Sequence, residues 1–214
     1  MMRRSLPSRL PATVLIAERD GERCAGPILL SGFVLGFGGV ELATNLLNQT
    51  SRFSLQLLSL LVLELVGPVL VSVLAMALLL PRWLERVQVA GRRAWRRSVP
   101  AAGVVGALLM LMFFVAALLG GVLITPRSEM LEQTRDVLTE LQVRGLVRSI
   151  VRCGLFLAGI CAWSQWRCLK GLASGRSEAL IVSNLMVEGL MIALALKLLW
   201  VLGIDALIIT PSVR

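Results

Sequence analysis

Apolar residues fall in five long blocks, at 27–47, 53–80, 99–124, 146–163 and 179–209, separated by short charged stretches. Each block is close to or longer than the roughly 20 residues that carry a helix across a hydrocarbon core of about 30 Å. None alternates apolar and polar side chains with the period of two that a membrane barrel needs, so helices are the expected element. The pattern predicts an all-α polytopic membrane protein with about five transmembrane helices.

The charged stretches differ in sign, which sets an expected orientation. Residues 81–98 hold Arg82, Arg86, Arg92, Arg93, Arg96 and Arg97 against Glu85, and residues 165–178 hold Arg167, Lys170 and Arg176. Cytoplasmic connections are enriched in Arg and Lys, so both are expected inside. Residues 125–145 balance Arg127, Arg135 and Arg144 with Glu129, Glu132, Asp136 and Glu140, and are expected outside. That order places the N-terminus in and the C-terminus out. Met130, Leu131, Val137, Leu138 and Leu141 recur near helical spacing, which predicts a short amphipathic helix at the outer surface. Residues 5–17, with Arg9 outward, are a weaker candidate for a second interfacial helix, because Pro7 and Pro11 interrupt it. The domain reading is a cytoplasmic or interfacial segment at 1–26, one five-span domain at 27–209 and an external tail at 210–214.

Composition sharpens this picture. With 57% hydrophobic and 16% charged residues and a mean hydropathy of +0.81, the chain has too much apolar surface for water to be its main solvent. The net charge of +9 lies between the apolar blocks rather than along one face. This suits an anionic membrane leaflet better than nucleic acid, for which no recognition motif is present. Cys24, Cys153, Cys161 and Cys168 form no CxxC pair and there is no histidine, so neither a zinc site nor histidine-based acid/base chemistry is expected. Cys153 and Cys161 lie in an apolar block and read as packing residues. The apolar stretch 12–17, closed by Glu18, Arg19 and Asp20, is too short for a signal-peptide core. No P-loop, GxSxG or HExxH motif occurs, so no catalytic site or cofactor is expected and any ATP hydrolysis falls to a separate chain.

Ionisable residues within the apolar blocks are the informative exceptions, because a charge at mid-bilayer is costly unless it faces protein or water. They are Glu41, Glu64, Glu188 and Lys197. Glu64 is central in its block, and Gly67 and Pro68 follow it as a break that would kink or loosen the helix, so a cavity-facing role is favoured. Glu188 has Asn184 one turn away and Lys197 nine residues on, which favours an interhelical polar contact. Glu41, with Asn45 after it, is near the outer interface. Gly32, Gly36, Gly38 and Gly39 in the first block allow close helix approach. In the Arg-rich stretch, Trp83 and Trp95 read first as interfacial anchors of a retention signal. The other reading is docking of a cytoplasmic partner through Trp83, Leu84 and Val87 around Arg86.

Leu63-Glu64-Leu65-Val66-Gly67-Pro68-Val69 resembles the Glu-Leu-Gly-Pro signature of MlaE/YrbE-type permeases, the membrane subunits of bacterial ABC lipid transporters, with Val66 as an additional residue. Ser31-Gly32 opening a Gly-rich span, the polar turn at 48–51, Gly145-Leu146-Val147-Arg148-Ser149, Trp163-Ser164 and Gly175-Arg176 before Val182-Ser183-Asn184 extend the likeness over residues 31–200. The resemblance implies an inner-membrane permease working as a dimer around a lipid-accessible cavity, with a cytoplasmic ABC ATPase, a periplasmic MCE-type lipid-binding protein and phospholipid cargo. It directs attention to Glu64, Gly67, Pro68, Glu41 and Asn45 as substrate-facing residues. Two departures stand out: the family's long connection after the second span is here the shorter Arg-rich 81–98, and the acidic residue often found in the last span has no counterpart near Met191. The shortened connection favours the alternative, a non-transporting membrane scaffold or degenerate permease that organises other envelope subunits.

Overall fold

The computed structural model describes residues 12–47, 66–124, 143–174 and 177–205. They form helices α1 (Ala12–Leu47), α2 (Gly67–Ala90), α3 (Trp95–Ile124), α4 (Val143–Ala173) and α5 (Glu178–Leu199). A single 3-10 turn, Gly91–Ala94, joins α2 to α3, and a π-type turn, Trp200–Asp205, follows α5. All five helices are long and apolar enough to cross a membrane, and no strand occurs among the described residues.

Two boundaries differ from the sequence expectation, and both differences have an electrostatic or packing cause. α1 starts at Ala12 rather than near residue 27, so the stretch 12–17 is not a separate surface helix. Glu18, Arg19 and Asp20 do not break it, because Asp20 turns inward and is neutralised by α2. α2 runs on to Ala90 instead of ending near Leu80, and the connection shrinks to four residues. Gly91 makes this possible with φ 53, a left-handed conformation that costs glycine little. The expected outer amphipathic helix at 125–142 lies outside the described residues.

α3 is the hub, and small residues make it one. A Cβ added at Gly32 of α1 would stand 2.6 Å from the Phe113 carbonyl oxygen, and one at Gly36 would collide with the Ala117 backbone. Gly120 meets the Phe33 carbonyl in the same way from the α3 side. Because both residue numbers rise together, α1 and α3 run parallel. On the other flank, a Cβ at Gly154 of α4 would lie 2.8 Å from the Gly103 carbonyl, and one at Gly106 would lie 3.0 Å from that of Cys153. Backbones this close gain dispersion contacts along the whole seam, which is how helices associate where no hydrophobic gradient drives them.

α5 buries one narrow stripe, Ile181, Leu185, Gly189 and Ala193, at a spacing of four. Its other faces expose Leu180, Val187, Met191 and Leu198. A helix apolar on all sides is suited to lipid rather than water. All four cysteines are free and buried, as packing residues would be.

Candidate functional site

Polar and charged groups inside an apolar bundle are where chemistry concentrates, and four such groups stand out among the described residues. The first is at the entrance of α2. Gly67 and Pro68 are buried, and Pro68 occupies the first turn, where its missing N–H costs no helical bond. Ser72 Oγ donates to the Pro68 carbonyl at 2.6 Å and lies 3.7 Å from Cys153 Sγ of α4. Glu41 is exposed on α1. Glu64 lies outside the described residues, and so does the side chain of Asn45, whose backbone belongs to α1.

The second group was not foreseen. Arg152 of α4 is fully buried, and its guanidinium stands 5.0 Å from the centre of the Trp200 ring. Trp200 in turn meets Phe156 edge to face at 6.3 Å. A desolvated guanidinium over an indole is the stronger form of this contact, about 2 kcal/mol or more. Arg148, one turn earlier, is half-buried. The signal was present: two arginines at i, i+4 inside the apolar block 146–163 place both charges on one helix face.

The third group closes the Arg-rich end. Asp20 of α1, whose side chain is 4% exposed, accepts from Arg86 at 2.8 and 2.6 Å and from Arg82 at 3.0 Å. Arg82 also donates to the Arg19 carbonyl at 3.1 Å. The two-pronged Arg86 contact is the strong, geometry-defining form of such a pair. Trp83, Leu84 and Val87 point the other way, into the core, at 1%, 4% and 2% exposure. This corrects the expectation of an apolar docking cluster on a loop: because α2 continues through these positions, its periodicity turns them toward the bundle. Arg86 is likewise spent on Asp20. Arg86 also lines a cavity of about 780 Å³ together with Arg93, Arg96, Arg97, Val89 and Ala90. Gln88 donates to Glu178 at 2.8 Å, so the Arg-rich elbow and the start of α5 share one end of the bundle.

The fourth group joins α4 to α5. Glu188 accepts from Arg167 Nε at 2.8 Å, from Arg167 Nη2, and from Trp163 Nε1 at 3.3 Å. The expected interhelical contact is present, with Arg167 of α4 as the partner. Asn184 lines a small polar cleft of about 120 Å³ beside the same pair, with Lys170 on its rim.

Five spanning helices with charge held inside by specific partners define a multi-pass membrane protein. No protein-family model matches the chain, and no curated protein matches it.

Proposed function

We propose that this chain is the permease subunit of an ABC-type lipid transporter resembling the MlaE family, working as a homodimer in the bacterial inner membrane with its N-terminus inside. The observation that supports the reading most is the combination of five helices long and apolar enough to span a membrane with buried Gly67 and Pro68, the pair that follows Glu64 in the sequence. The phospholipid cargo, the cytoplasmic ATPase and the periplasmic MCE-type protein come from the sequence resemblance.

A second reading, the non-transporting scaffold, is favoured by the elbow. With Trp83, Leu84 and Val87 packed inward and only the turn Gly91–Ala94 between α2 and α3, no separate amphipathic helix remains there to receive mechanical force. Crosslinking in membranes followed by mild-detergent purification and mass spectrometry separates the two. Recovery of an ATPase together with an MCE-domain protein and phospholipid supports the permease, and recovery of envelope proteins without any ATPase supports the scaffold. Within the permease reading, Glu64→Leu is expected to insert normally and to lower phospholipid transport. Transport unchanged in a folded Glu64→Leu protein would remove Glu64 from the substrate path. Reporter fusions after Arg97 and Gly171 are expected to read cytoplasm, and those after Glu140 and at Arg214 the opposite side.

A further inference from the structure

We propose that the elbow cavity between α2 and α3 binds the phosphate of an anionic glycerophospholipid headgroup. This does not depend on whether the chain transports lipid. The cavity has a volume of about 780 Å³, within the range of pockets that enclose small ligands. Four arginines and one carboxylate, Glu85, line it. Arg86 is committed to Asp20 and fixes one wall. Arg93, Arg96 and Arg97 are exposed and have no ion-pair partner among the described residues. Three guanidinium groups converging on one space are a phosphate-binding arrangement, because each planar fork can meet two oxygens at once.

The surroundings select a lipid over a soluble anion. Val89, on the cavity wall, is 90% exposed, and Trp95, at the start of α3, is 37% exposed. An apolar residue and an indole beside clustered arginines form the arrangement that sits at headgroup level, with the ring in the interface. Basic pockets between membrane helices attract anionic head groups for the same electrostatic reason. A choline headgroup would bring its own cation against Arg93, Arg96 and Arg97, so phosphatidylglycerol should be preferred over phosphatidylcholine.

Native mass spectrometry of the full chain in mild detergent, titrated with either lipid, tests this. Phosphatidylglycerol is expected to occupy one site about tenfold more tightly than phosphatidylcholine. Arg96→Gln with Arg97→Gln should erase the preference. Ala90→Phe should weaken it too, by narrowing the cavity between the arginines while keeping every charge. Arg19→Gln with Arg23→Gln removes the same charge from exposed positions on α1 and should leave the preference intact. Circular dichroism reports folding of each variant, and if the Arg96/Arg97 pair does not fold, Ala90→Phe decides alone. Equal binding of the two lipids would overturn the proposal, as would equal loss in the Arg19/Arg23 control, which would show diffuse surface charge. Inorganic phosphate binding without any lipid preference would overturn the lipid assignment.

Discussion

α1 and α5 are both outer helices with broad lipid-suited faces, yet they are attached to the bundle by opposite means. α1 presses its backbone against α3 through Gly32 and Gly36 and sends one carboxylate inward to two arginines. α5 touches its neighbours along a stripe one residue wide and adds a half-exposed ion pair, Arg167 to Glu188. The contrast teaches that an ion pair's weight depends on what surrounds it. Asp20 is sealed at 4% exposure while Glu188 remains 29% exposed, so the partner of the second can reach the membrane interface when the pair is broken and that of the first cannot.

The largest effect should come from the glycine seam. Gly36→Leu places a branched side chain where the Ala117 backbone already stands, so α1 must leave α3. A loss of more than about 3 kcal/mol is expected, at the upper end for overpacking, read as a collapse of thermal stability in detergent. Gly38→Leu, one half-turn away with nothing within 4 Å of its Cβ, should be close to neutral. Similar losses at both positions would mean that helix propensity and not the seam decides. Next comes Asp20→Asn, which leaves Arg82 and Arg86 facing a neutral amide in a confined site. Removing one partner of a buried pair costs several kcal/mol. Because the arginines keep 17% and 22% exposure, about 2–3 kcal/mol is expected here. Detergent melting curves of Asp20→Asn would break the comparison if they matched the unmodified protein.

Trp200→Leu follows in size. The ring covers the buried Arg152 guanidinium, and its loss should cost about 2 kcal/mol, measured by the same melts. The spacing of Arg148 and Arg152 was readable in the sequence, but the Trp200 ring that covers Arg152 was not. Five spans were legible because length and apolarity alone require them, and the packing role of Cys153 and Cys161 followed from their apolar setting. The continuity of α1 was not legible, since Glu18-Arg19-Asp20 reads as a polar stop until Arg82 and Arg86, more than sixty residues later, are seen to receive Asp20. The inward turn of Trp83, Leu84 and Val87 was hidden for a related reason. Charge density marked 81–98 as a loop, while the three residues share a helical spacing that only matters once α2 is known to continue. Glu188 was rightly given an interhelical contact, but its partner lies on α4, and proximity between helices cannot be counted along one chain.

The smallest effect, and the sharpest test of the contrast, is expected at Glu188. Glu188→Gln keeps the shape and one acceptor oxygen, so Trp163 can still donate to it. What is lost is the charge opposite Arg167. Arg167 is in the penultimate turns of α4, which ends at Ala173, and a long arginine stem there can carry its guanidinium to the interface. The uncompensated charge is then solvated rather than trapped, which limits the cost. An exposed pair is also screened by salt, whereas a sealed one is screened much less. Melting in low and high sodium chloride should therefore show a small loss for Glu188→Gln that shrinks at high salt. Asp20→Asn should show a larger loss that salt barely changes. A salt-independent loss at Glu188 as large as that at Asp20 would mean that α5 is sealed in the membrane by a second subunit or by lipid, and the distinction between the two outer helices would vanish.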